Sequence, residues 1–416
     1  MAIGTRHLGL DAFVPVAMLW TIWALCSAVL TFSFQQWEIR RRLLGDAGAS
    51  PRTAVVLAGG SVIVVVLVAL LLRRSLFESS SLAWPLAAAT IPMGSTAVGL
   101  TRGRWASIGR YDVVASVVAG ENLIRAGLAV VAVVVDAGAP FYGMALLAGF
   151  AVVAVQPSRH RALPIRPLPS PASAADTSSA EPPLAEPPLV AVAADVVPAD
   201  LGGGSAVLGG AAVAGLLAHA TLVVAPAVVA VRSGAGAEVS ALFAFLALVR
   251  APYLLAQGLV PLATARWTSA ASAGETAILE RARLGALALG TAGAGIAAAG
   301  AALVGRAVGD VLFATGDLLS RAELALAGAI TMAAVASLSL TVQRLAEGRS
   351  GRVAAAWIGS VASVTAVAAG LGVGSTASVL VAVAATELAV LAVLGLGSVG
   401  PKAASIVHPQ PAGPRR

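Results

Sequence analysis

Between Leu10 and Ser398 the chain alternates apolar runs of membrane-spanning length with short charged gaps, about eleven times over. A helix rising 1.5 Å per residue needs roughly 20 apolar residues to cross a hydrocarbon core of ~30 Å. Backbone at that depth must satisfy its own hydrogen bonds, so such runs fold as helices packed on one another. The expectation is an all-α, polytopic transmembrane helical bundle. Spans fall at roughly 10–33, 54–72, 82–101, 113–135, 139–155, 205–230, 239–263, 284–304, 322–342, 353–372 and 376–398.

Hydrophobic residues make up 58% of the 416 and charged residues 11%, against about 25% charged in a soluble domain. The net charge of +7 does not point to nucleic acid, because the arginines lie in the gaps between spans and form no basic face. Nineteen of the 27 basic residues occupy every second gap, among them Arg40, Arg102, Arg159, Arg266, Arg344 and Lys402. Six occupy the intervening gaps, and Arg125 and Arg250 fall inside spans. Retention of basic loops in the cytoplasm then places the amino terminus outside and the carboxyl terminus inside, in a multi-pass plasma-membrane protein surrounded by membrane lipids. The first apolar run is long enough to stay in the membrane, so it reads as a span, not as a cleaved signal peptide. A single cysteine, Cys26, excludes an intramolecular disulfide and a multi-cysteine zinc site.

Ten prolines between Pro157 and Pro198, set among Ala, Ser, Glu and Asp, mark residues 156–204 as a disordered cytoplasmic linker. Four parts follow: an N-terminal lobe of about five helices over 1–155, the linker, a C-terminal lobe of about six helices over 205–400, and a cytoplasmic tail over 401–416. The lobes share a short element. The span opening at Leu82 ends in Leu100, Thr101, Arg102, Gly103, Arg104, and the span opening at Ala322 ends in Leu345, Ala346, Glu347, Gly348, Arg349. An internal repeat of this kind favours a two-lobed transporter.

Phosphate-loop, His-Glu-x-x-His and paired-cysteine motifs are absent, and the four histidines are scattered. The chain therefore reads as a non-enzyme with no cofactor and no metal. Polar residues inside spans carry the functional reading, since a charge at bilayer depth is costly unless paired or wet. Glu121 and Arg125 are four apart on one helix face. They read either as a self-neutralising pair or, with Asn122, as a polar lining of the lobe interface. Arg250 has no acidic residue within a turn in the sequence, and Pro252 follows it. It reads as a substrate-anion contact extended by Tyr253 and Gln257 on the same face, or as a partner of mid-span Glu387. Gln35 and Gln36 either line a cytoplasmic vestibule or flank Trp37 as an interfacial anchor. His219 is expected to hydrogen-bond across helices. Trp20, Trp23, Trp84 and Trp357 read as packing or belt residues.

The stretches LTFSFQQWEIRRRL, TRGRWASIGRYDVVASVVAGENLIRAGLAVV, ALVRAPYLLAQGLVPLATARW and LTVQRLAEGRSGRVAAAW resemble polysaccharide flippases of actinobacterial type, in the multidrug/oligosaccharidyl-lipid/polysaccharide exporter superfamily. The resemblance implies two six-helix lobes around a central cavity, here with the first helix missing, since GTRHLGLDAF resembles the loop after it. It further implies translocation of a polyprenyl-pyrophosphate-linked saccharide for cell-envelope or exopolysaccharide synthesis. Arg250 is the best carried-over residue and would meet the pyrophosphate. Glycosyltransferases or a polysaccharide polymerase would be partners. Two rival readings stand: efflux of small amphiphiles, and a transport-inactive scaffold for glycosyltransferases.

Overall fold

A computed structural model describes residues 2–44, 51–77, 79–155, 206–219, 251–313, 319–370 and 375–396. The linker call over 156–204, the tail and Arg250 lie outside the described residues. Every regular element among those described is helical.

In the N-terminal lobe, α1 (Ala2–Leu8) precedes a long rod made of α2 (Leu10–Cys26), a π-helical turn (Ser27–Thr31) and α3 (Phe32–Leu43). There follow α4 (Pro51–Leu71), α5 (Arg73–Phe77), α6 (Ala83–Ser107), α7 (Tyr111–Val134), α8 (Ala139–Ala148) and, after a 3-10 turn, α9 (Val152–Val155). The C-terminal lobe holds α10 (Ala206–His219), α11 (Ala251–Ser272), α12 (Thr276–Ala288), a second π turn (Leu289–Gly293), α13 (Ala294–Phe313), α14 (Arg321–Ala346), α15 (Ser350–Gly370) and α16 (Thr376–Gly395). With the short α1 and α5 set aside and the broken rods joined, described helices fall within or overlap each run read from the sequence, while 220–250, which holds much of the sixth and seventh runs, lies outside the described residues.

Five helical stretches are long and apolar enough to cross a bilayer, starting at Ala12, Tyr111, Thr276, Arg321 and Thr376, and shorter apolar helices start at Val55, Ala139 and Ala206. Apolar side chains such as Val64 and Leu71 on α4 and Ile296 and Leu303 on α13 stay exposed. In a bilayer these surfaces face lipid, which is as apolar as the side chains themselves.

The two lobes pack alike. The α2–α3 rod lies on α6 as α11 lies on α14, α4 lies on α6 as α13 lies on α14, and α8 lies on α7 as α16 lies on α15. The sequence pairing of the α6 span with the α14 span is thereby matched by equivalent neighbours. Close approach within the lobes uses glycine. A Cβ at Gly99 would sit 2.6 Å from the Thr31 carbonyl oxygen, and one at Gly328 would sit 2.5 Å from that of Ala297. Each lobe has its own apolar core, one around Leu19, Phe34, Trp84 and Ile91 and the other around Ile330, Leu340, Trp357 and Leu380.

Candidate functional site

The lobes meet along a seam made by the α2–α3 rod on one side and α10 and α11 on the other. Phe32 of α3 belongs to the C-terminal core, and Leu208 of α10 to the N-terminal core. At the π turn the chains touch through backbone: a Cβ on Gly215 would lie 2.1 Å from the Ala28 carbonyl oxygen. Only glycine permits that approach. A π turn widens the helix by one residue and recurs at functional positions.

Beside this contact Ala28 and Phe32 face Gly215, His219, Tyr253, Gln257 and Leu338 across a crevice whose interior holds about one water. Gln257 Nε2 lies 3.4 Å from His219 Nε2, and the His219 ring meets the Tyr253 ring edge-on at 5.2 Å between centroids. The cross-helix contact of His219 agrees with expectation. Tyr253 and Gln257 share one face of α11 and meet at the seam, with Tyr253 buried and Gln257 half-buried. Glu387 is buried in α16, where its own carbonyl accepts from Ser337 Oγ at 3.4 Å.

Toward the far end of α3 the seam becomes polar. Thr264 Oγ1 donates to Gln36 Oε1 at 2.7 Å, and both side chains are fully buried. Arg40 Nη1 donates to the Leu345 carbonyl at 2.9 Å and to that of Ala346 at 2.5 Å. Ile39, Trp105, Ala106, Val114 and Ala265 fill the space around them. Glu38 receives Arg41 at 2.9 Å and also Arg42. Glu347 receives Arg344 at 2.8 Å and Arg349 at 3.4 Å. Burial lowers the Arg349 pKa against the opposing pull of Glu347. Sequence reasoning named Gln36 but not Thr264 or Arg40, since hydropathy reads this stretch as the membrane exit. Trp37 corrects the anchor reading: it is 5% exposed and packs edge-on against Phe34.

Glu121, Arg125 and Asn122 lie elsewhere. Arg125 Nη2 donates to Glu121 Oε1 at 2.6 Å, and Arg102 of α6 donates to Oε2 at 2.5 Å. Arg125 Nε also donates to the Leu146 carbonyl at 2.9 Å, and its guanidinium stacks 4.4 Å from the Trp23 ring centroid. These partners all belong to the N-terminal lobe, so the pair braces α2, α6, α7 and α8 against one another. Asn122 is exposed and bonds to its own helix at Val118. For Glu121 and Arg125 these contacts, all within the N-terminal lobe, fit the self-neutralising pair that the i,i+4 spacing suggested.

No protein-family model matches the chain, and no curated protein does. A solved structure of a multidrug resistance MATE family transporter of the MOP superfamily, in an outward-facing conformation, matches with a TM-score of 0.54. The match covers 95% of this chain and 86% of that one at 14% identity. The chain thus has the fold of a polytopic, two-lobed helical transporter.

Proposed function

We propose that the chain is a flippase moving a polyprenyl-pyrophosphate-linked saccharide across the plasma membrane for cell-envelope or exopolysaccharide assembly. The two lobes would rock about the seam and expose it alternately to either side. The observation that carries this reading is the polar seam between two separately cored lobes, with Gln36, Thr264 and Arg40 buried at one end and the His219 crevice further along. Buried polar groups are costly in lipid and acceptable where they line a path that becomes wet. Parting the lobes at the Arg40 end would open such a path for a hydrophilic head group while the lipid tail stays in the bilayer. The basic-residue asymmetry makes that end cytoplasmic. Arg250 keeps its proposed role as the pyrophosphate contact on sequence grounds, with Tyr253 and Gln257 beside it. Glycosyltransferases or a polymerase remain the proposed partners.

Reconstitution into proteoliposomes with a fluorescent polyprenyl-pyrophosphate disaccharide tests the reading. Wild type should flip the lipid, Arg250→Lys should retain part of the rate, and a folded Arg250→Ala protein should lose it. Wild-type flipping by Arg250→Ala would remove that residue from the site. One observation favours a second reading, efflux of a small amphiphile: the matching solved structure is of a multidrug resistance transporter. Export of cationic dyes with no flipping of the lipid-linked sugar would establish it over the first.

A further inference from the structure

The cluster around Glu121 contains two guanidinium groups and one carboxylate, and so carries one positive charge more than it cancels. Both carboxylate oxygens are taken, one by Arg102 and one by Arg125. Arg125 is further satisfied by the Leu146 carbonyl and by stacking on Trp23. Arg102 is not. Its Nε is buried with no hydrogen-bond partner, and its side chain keeps 16% exposure where that of Arg125 keeps 6%. The surplus charge therefore resides on the one member of the cluster that can be reached from outside.

Its depth narrows what reaches it. Arg102 lies five residues, ~7.5 Å at 1.5 Å per residue, before the end of α6 at Ser107. It directly follows the apolar run read over 82–101, so on the sequence reading it stands where that run leaves the hydrocarbon, below the turn that carries Arg104 and Arg110. Arg110 is matched by Asp112 at 2.9 Å, and Arg104 lies over the Trp105 ring at 6.0 Å. A part-exposed guanidinium with uncompensated charge attracts an oxyanion through the nitrogen that Glu121 leaves outward, while its buried Nε stays out of reach. At that depth the abundant oxyanion is the phosphate of a membrane lipid.

We propose that Arg102, clamped through one nitrogen by Glu121, forms a binding site on the N-terminal lobe for the phosphate of an anionic membrane lipid. The site is separate from the His219 crevice and does not depend on what cargo is carried. Glu121 holds the guanidinium in place, and Arg125 screens the carboxylate so that the net charge stays positive.

Native mass spectrometry of the full-length protein, exchanged from detergent containing phosphatidylglycerol or phosphatidylcholine, reads the retained lipid directly. Wild type should hold phosphatidylglycerol about tenfold more tightly, a difference of ~1.4 kcal/mol. Arg102→Gln leaves Glu121 and Arg125 as a neutral pair, so the protein should stay folded and lose the preference. Arg102→Lys keeps the charge but on a single nitrogen and should fall between. Arg104→Gln removes the same charge from an exposed position and should retain the preference. Equal preference in wild type and Arg102→Gln would overturn the site, as would equal loss in Arg104→Gln. Stabilisation by inorganic phosphate in lipid-free detergent, with no lipid retained, would assign the donors to a soluble anion and overturn the lipid assignment.

Discussion

Arg40 of α3 reaches across the seam and donates to the carbonyl of Leu345 at 2.9 Å, one residue before the end of α14. The last four carbonyls of a helix lack intrahelical partners and carry the negative end of its dipole. A cation from the opposite lobe therefore both satisfies α14 and ties the lobes together. Arg40 is 4% exposed, so water does not compete for it in this arrangement. Hydrogen bonds from a charged donor contribute about 1.5–3 kcal/mol each. Arg40→Ala should lower the population of the joined state about tenfold or more, seen as faster hydrogen exchange in the last turn of α14. Unchanged exchange there would show that the seam is held by other contacts.

The backbone contact of Gly215 with Ala28 is a steric test of the same seam. Gly215→Val would place a branched side chain where a single Cβ already lies 2.1 Å from a carbonyl oxygen, so the lobes must separate or the helices shift. Overpacking of this kind costs about 1–3 kcal/mol. The expected result is a lower melting temperature and greater water access to the Thr264 region. Gly209→Ala, whose Cβ would meet nothing within 4 Å, should change neither. If the two substitutions behave alike, the close approach has no mechanical role.

Glu121 is predicted to matter more to stability than Arg125, although they form one pair. Glu121→Gln leaves the buried Arg125 guanidinium without its carboxylate and beside the part-exposed Arg102, and an uncompensated buried charge costs about 3–5 kcal/mol. Arg125→Met leaves Arg102 and Glu121 as a balanced pair and fills the space beside Trp23 with apolar volume. Thermal unfolding in detergent should rank Glu121→Gln well below Arg125→Met. The reverse order would mean that stacking on Trp23 outweighs charge balance.

Hydropathy made the polytopic all-helical class legible, because lipid imposes length and polarity on every span separately. The i,i+4 spacing made the Glu121 and Arg125 pair legible for the same local reason. Arg102 escaped because it joins from another helix, and nothing in a linear pattern encodes which helices touch. The segment Phe32–Leu43 looks like a membrane exit for a physical cause, its run of polar residues, yet Gln36 and Arg40 are buried against the opposite lobe and Gln35 and Glu38 against Gly103 of α6. Arg40 and the Gln36 oxygen find partners across the seam, and Glu38 finds Arg41 and Arg42 on its own helix. Thr264 gave no sequence signal at all, being one hydroxyl in an apolar helix whose partner comes from the other lobe.

At the end of the molecule opposite Arg40, α1 bridges the lobes in turn. His7 Nε2 lies 3.0 Å from Asp136 Oδ1, and Tyr142 Oη lies 3.1 Å from His7 Nδ1, which fixes α1 to the N-terminal lobe. Arg6 Nη2 then donates to the Asp310 carbonyl at 3.3 Å and also to that of Val311, in the last turn of α13 in the C-terminal lobe. The logic is that of Arg40, a cation capping a helix end across the boundary, but at the other face of the bundle. Arg6→Ala should therefore release the lobes at the α1 end, whereas Arg40→Ala releases them at the opposite end. Paired spin labels near Asp136 and Arg306, in a Cys26→Ser background, should report a longer separation in Arg6→Ala. In Arg40→Ala the same pair should report an unchanged or shorter one. A shift in the same direction for both variants would mean that the lobes loosen as a whole, and α1 would then not act as a strap.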